Sequence, residues 1–496
     1  MSKRNVIKIS LTVVMALALL VPLGSAVYAQ SITTYQGSIQ VVNLEDSLAT
    51  VSVEFVPQSG TSASFPYTIA ANGGLKLFPL PAAAGFNGSV IVSSDKKVAA
   101  VANVMGDTGG TSNLYYQAAY EGFDAGNAKV NLPLLQANNS GNFSWFNVQN
   151  TSGSAATANI NFYPRDANMG SHRIANVAID AGRAKTYKLA DYTAQLYGTA
   201  GKFVGSVVIT TSVGEVAAVA VQENTTRAPG MGSFDGFLGS AGSTTIIAPL
   251  LQFANGSNTL FSSMNIQNVG DATTAVTVTY SAPVCPGCTY NPTQESKSID
   301  PGKIATFNLL EGTGQWVGGT AKRWVGGAKV ESSGQPIVGV AMQLRMNAGA
   351  THSWNSMYNM FDPAVGTNKV LAPLLQFDNN QTYSSATVYN LGPDAVTVRM
   401  TYGNNTCSGC TFAPVAETLT AGIGGVANFR MLEGATTQWT SSSPAQKRYV
   451  GSGTIEVTAG TGPIVVVVNE QRLASLGRVE PVGDSLKSYD GVNVTP

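Results

Sequence analysis

Charge is scarce in this 496-residue chain: Asp, Glu, Lys and Arg make up 11% of it, with 28 basic residues balanced by 28 acidic ones. Nucleic-acid recognition needs clustered Lys and Arg to displace phosphate counterions, and no such cluster occurs. A solvating acidic tail is missing as well. Histidine is nearly absent. His172 and His352 stand far apart, without partners at metal-ligand spacing. Neither the paired-histidine helix motif of metalloproteases nor a serine set between glycines at nucleophile-elbow spacing is found. Clustered aspartates of a calcium loop are lacking too. Long helical periodicity is missing, and no apolar run after residue 29 approaches the ~20 residues needed to cross a bilayer. The expectation is therefore a protein without a metal, a cofactor, a nucleic-acid partner or a membrane span. What the chain does have is 44% hydrophobic residues, enough for real cores, and 53 glycines. Ser, Thr, Asn and Gln must wet most of its surface.

The N-terminus carries Lys3, Arg4 and Lys8, then an apolar run from Leu11 to Leu23, then Val27-Tyr28-Ala29 before Gln30. That order is the charged, apolar, small-residue order of a secretory signal, so residues 1–29 are expected to be removed and the product to be secreted, extracellular or at the cell surface. A retained anchor fits less well, because the run is too short to span a bilayer. The processed chain would carry 25 basic residues against 28 acidic ones. No cysteine follows the apolar run to take a lipid. Val492-Asn493-Val494-Thr495-Pro496 shows no wall-sorting pattern.

The chain repeats itself at a fixed period. Pro133-Leu134-Leu135-Gln136, Pro249-Leu250-Leu251-Gln252 and Pro373-Leu374-Leu375-Gln376 recur at regular spacing, each opening a unit. Alternating runs then end on Asn43, Asn150, Asn268 and Asn390, where Asn suits a turn because it tolerates positive φ and bonds its own backbone. β-Branched runs follow, such as Ala275–Tyr280 and Ala395–Met400, and fit strands with one buried face. Near-continuous aliphatic runs such as Val216–Gln222 and Ile464–Asn469 indicate central strands. Units close on Tyr120-Glu121-Gly122-Phe123, Phe234-Asp235-Gly236-Phe237, Tyr358-Asn359-Met360-Phe361 and Tyr489-Asp490-Gly491-Val492.

About seven short strands per ~110-residue copy is the size of an immunoglobulin-like sandwich, although jelly-roll and other sandwiches stay open. The reading is all-β: four tandem antiparallel β-sandwich (Ig-like) modules after an N-terminal signal peptide. The boundaries are 1–29 for the signal, 30–127 for a first repeat lacking its opening segment, then 128–241, 242–366 and 367–491, with a tail over 492–496. Short connections suggest a semi-rigid rod. On these strand and turn patterns the chain resembles the tandem immunoglobulin-like or fibronectin-like modules of bacterial surface and surface-layer proteins.

All four cysteines fall at equivalent places, Cys285-Pro286-Gly287-Cys288 in repeat 3 and Cys407-Ser408-Gly409-Cys410 in repeat 4. In an exported chain with an even count, a local disulfide across each turn is the expectation. A four-thiolate zinc site would need the two pairs brought together, and a redox motif would need a helix to follow. Among Trp145, Trp316, Trp324, Trp354 and Trp439, the matched pair Trp316 and Trp439 are candidate glycan contacts, with core packing as the competing reading. Glu223, Glu311, Glu433 and Glu470 could serve a glycosidase only if two faced each other at ~5–10 Å; edge-strand or turn roles are the alternative.

The two ends carry a sharper signal. Repeat 1 begins without the segment its sisters open on, while Val492-Asn493-Val494 matches Val130-Asn131-Leu132 at the opening of repeat 2. This makes the tail a candidate assembly strand for the first repeat of another copy. The expected function is that of a non-catalytic exported structural protein of a surface layer, sheath or filament, self-associating with neighbouring copies. The alternatives are a protein binding cell-wall or extracellular glycan in adhesion and, further off, a secreted hydrolase.

Overall fold

The computed structural model describes residues 5–9, 32–107, 115–224, 230–239, 241–345, 352–407, 410–432, 434–439, 448–472, 483–484 and 486–493, folded mainly into antiparallel β-sheets.

 No helix among the described residues is long and apolar enough to cross a membrane. Alternating side chains drive the strands: in Thr274–Tyr280, Val276 and Val278 are fully buried while Ala275 is exposed.

The repeats share one strand plan. In repeat 2, one sheet has the order Ala184–Lys188, Asn142–Asn150, Val216–Asn224, Gly230–Asp235, and the other has His172–Ile179, Ala156–Pro164, Phe203–Val213, Lys129–Ala137, Phe237–Leu238. Repeat 4 reproduces both orders, ending on Leu486–Asp490 and Val492–Asn493 respectively. The two sheets share a core; in repeat 4, Val388 and Val466 of one meet Val398 and Ile455 of the other.

The Pro-Leu-Leu-Gln signature marks a break in the opening strand. Proline has no N–H for the ladder, and the pairing of Thr245–Phe253 with Trp324–Ser332 slips between Ala248 and Leu251. The freed backbone is taken up by a closing-strand tyrosine: Leu250 N–H donates to Tyr358 Oη at 3.1 Å, and Tyr358 O–H donates to the Leu250 carbonyl at 2.7 Å. Tyr489 does the same for Leu374.

The recurring asparagines tie three strands together. Asn268 donates to the carbonyls of Ala272 at 2.8 Å and Ile299 at 2.9 Å, and its Oδ1 accepts from Gly270 N–H at 3.0 Å. Asn43, Asn150 and Asn390 make the equivalent set.

One expectation needs correction. The repeats do not form a rod. Their closing strands meet in a cycle: Tyr115–Glu121 packs on Gly230–Asp235, that on His352–Asn359, that on Leu486–Asp490, and the last back on Tyr115–Glu121. Each core also runs into the next repeat, from Val104 to Trp145, Leu132 to Val340, Ile247 to Val465, and Leu374 to Val101. Short connections set how far apart neighbours lie and leave their angle free; the apolar outer faces of the central strands set the angle. The expected signal, residues 1–29, contributes one described strand. Asn5–Ile9 forms a strand antiparallel to Gly88–Ser94, at the edge where the other repeats place their opening strand; residues 10–31 lie outside the described residues.

Candidate assembly site

The closing strands bring four equivalent side chains to the centre of the cycle: Glu121, Asp235, Asn359 and Asp490. They link neighbours in one direction. Glu121 N–H donates to Asp235 Oδ2 at 3.0 Å, Asp235 N–H donates to Asn359 Oδ1 at 3.1 Å, and Asn359 Nδ2 returns a bond to the Asp235 carbonyl at 2.8 Å. Glu121 Oε1, Asp235 Oδ1 and Asp490 Oδ1 are buried with no hydrogen-bond partner among the described residues.

Burial pushes the Glu121 and Asp490 carboxyls well up, and neighbouring carboxylates add to it: Asp490 and Asp235 act on Glu121, and Asp235 acts on Asp490. Burial also raises Asp235, to about 7, against the pull of the Glu121 N–H. Such groups hold protons at pH values where free carboxylates have lost them. Among the described residues, no three His, Cys, Asp or Glu side chains are arranged to hold a metal ion.

A second polar layer joins opening and central strands. Gln136 Nε2 donates to Gln222 at 2.6 Å, Gln252 Nε2 to Gln343 at 3.1 Å, and Gln376 Nε2 to Glu470 at 2.7 Å. The corresponding residue of repeat 1 is Val104, fully buried. The repeat without a Pro-Leu-Leu-Gln strand thus also lacks the polar partner for its glutamine.

The edge of Gly88–Ser94 is therefore distinct. Lys8 faces Ile91, with Ile7 opposite Val92 and Ile9 opposite Val90. In repeat 2 the same register sets Val130 opposite Ile209, Asn131 opposite Val208 and Leu132 opposite Val207. Val90 and Val92 are fully buried.

Trp316 and Trp439 are both 0% exposed, so neither offers a face to a sugar, which overturns their reading as glycan contacts. Their indoles instead donate to Glu295 at 2.8 Å and to Glu417 at 3.2 Å. Repetition at matched positions marked them in the sequence, but it marks core aromatics equally well. Val492–Asn493, named as an assembly strand, pairs with Val370 and Leu371 of its own chain; Val494 lies outside the described residues.

Cys285 and Cys288 lie together, as do Cys407 and Cys410, each with Cα atoms 5.5 Å apart and sulfurs at bonding distance. Glu223 accepts from Tyr35 and Trp145, both at 2.6 Å, at the contact of repeats 1 and 2. Glu470 pairs with Lys487 at 2.6 Å, and Glu311 accepts from the N–H groups of Gly318 and Gly319. Glu433 and the side chain of His352 lie outside the described residues; His172 packs against Phe162 and Tyr192.

Sequence reasoning missed one feature, a cleft of about 220 Å³ between repeats 1 and 4, walled by Gln40, Lys76, Phe78, Asn103, Gln117 and Asn379 among others, with no carboxylate in its lining. Gln117 Nε2 is buried there without a partner. No sequence signal could have found it, because its walls come from segments some 300 residues apart.

The sequence matches no family model and no curated protein. A solved structure described as a tetra-tandem repeat in the extending region of a large adhesion protein aligns over 94% of this chain and 97% of that one, at 12% identity and a TM-score of 0.09. So low a score carries no argument about fold or role.

Proposed function

We propose that this chain is a non-catalytic, exported structural protein: four Ig-like sandwich modules after a signal peptide, serving in a surface layer, sheath or filament. The observation that carries the reading is where the repeated side chains are spent. The closing tyrosines, the turn asparagines, the glutamine layer and the central acidic residues all hold strands or repeats to one another. A duplicated unit whose recurring residues serve mutual packing is suited to building, and its sparsely charged, amide- and hydroxyl-rich surface suits side-by-side contact. Imaging the native cell surface beside a deletion strain tests this; a surface unchanged by deletion removes the reading.

The second reading, glycan binding in adhesion, now rests on the cleft rather than on tryptophans. Amides around one exposed aromatic ring, Phe78, match the hydroxyls and apolar face of a sugar. Glycan-array binding lost in Phe78→Ala and Asn379→Ala favours it; equal binding by both variants and the parent removes it.

A further inference from the structure

We propose that the Gly88–Ser94 edge of repeat 1 is a strand-acceptor site, and that its partner is the Val492-Asn493-Val494 tail of a second copy of this chain. The inference rests on the export reading, since removal of residues 1–29 takes away the strand that covers this edge.

An uncovered edge invites pairing because its N–H and C=O groups point outward without partners. Natural edges are blunted by charge or proline, and Gly-Ser-Val-Ile-Val-Ser-Ser carries neither. The fully buried Val90 and Val92 mark the face that an incoming strand completes. The required pattern can be read from the sister repeat, where Val130-Asn131-Leu132 lies on the equivalent strand. In this chain Val492-Asn493-Val494 carries that pattern, apolar at the first and third positions. Laid in the same register, Val492 faces Val92, Asn493 faces Ile91, and Val494 faces Val90.

The acceptor also fits a donor without the Pro-Leu-Leu-Gln glutamine. Repeat 1 puts Val104 where the other repeats put Gln222, Gln343 or Glu470, so an incoming strand owes no polar partner there. The tail's present seat is the smaller one. Val492–Asn493 pairs at two positions with Lys369–Phe377, and both residues are only half-buried. The acceptor edge accommodates five positions, from Asn5 opposite Ser94 to Ile9 opposite Val90. Exchange from the intramolecular seat to the edge of another copy links molecules head to tail, and because the contact is heterologous it propagates unless the ring closes. Before processing, Asn5–Ile9 occupies the acceptor and blocks it, which ties assembly to leader removal.

The test uses purified chain 30–496 and an equal preparation of the full chain. Two single variants of 30–496, Ile91→Cys and Asn493→Cys, are mixed and oxidised gently. Both positions are only half-buried, so folding is expected to survive. A covalent dimer containing one molecule of each variant is expected, while Ser64→Cys on the opposite edge of the same sheet gives none with Asn493→Cys. Light scattering is expected to show mass rising with concentration for 30–496, no rise for the full chain or for 30–491, and suppression by a synthetic peptide of residues 3–11. Absence of the mixed dimer, or equal mass for 30–496 and 30–491 at every concentration, overturns the proposal. These measurements are made in solution, so their failure leaves the surface-imaging result untouched, and the converse holds.

Discussion

At the scale of single residues, the central carboxylates make stability depend on pH in an unusual direction. Free carboxyls titrate near 4, whereas burial lifts Asp235 to about 7 and raises Glu121 and Asp490 well above their ordinary value. The folded chain then binds more protons than the unfolded one between those limits. The contribution is fully present below about 4 and is lost as pH rises through about 7. Denaturation midpoints are expected to be higher at pH 5 than at pH 8, with the difference reduced in Asp235→Asn, which keeps an acceptor for Glu121 N–H without the charge. A midpoint independent of pH in the parent chain contradicts this. Trp316 makes a simpler case: wholly buried and bonded to Glu295, its replacement by Ala should cost about 3–5 kcal/mol by urea denaturation. A loss near zero would mean that the ring is not in a core.

At the scale of elements, one asparagine side chain joins the end of one strand to the turn after it and to the next edge strand. Asn268→Ala removes three bonds at a buried site, and a loss of about 1–3 kcal/mol is expected in equilibrium unfolding. The two cysteine loops predict no alkylatable thiol in the purified protein without reductant, checked by mass spectrometry. Each ring is short, so reduction is expected to lower stability only slightly. Much of this level was legible in the sequence. Asn150 and Asn268 stood out because the turn after a strand has its own chemistry, and Val276 and Val278 because burial of one sheet face imposes alternation. Trp316 and Trp439 stayed open between a glycan contact and the core because sequence repetition records a shared position without recording which way the ring points.

At the scale of the whole molecule, the cyclic arrangement separates from a rod by size. A compact chain of this length has a radius of gyration of about 23 Å, and small-angle scattering is expected to give a value near that; a value about twice as large would restore the rod. The arrangement was hidden from the sequence for a physical reason. Repeat-to-repeat angle depends on which outer faces of the central strands are apolar together, as with Val101 against Leu374, and those residues lie in repeats at opposite ends of the chain. The acidic side chains at the centre were visible as a recurring Glu121, Asp235, Asn359 and Asp490, yet nothing in their spacing says that they meet.

Lys487 donates to Asn103 across 384 residues of sequence, in the contact where the last repeat meets the first. A chain synthesised amino end first therefore leaves that face of repeat 1 bare until Leu486–Asp490 has been made, so the closure of the cycle is the last contact available to it.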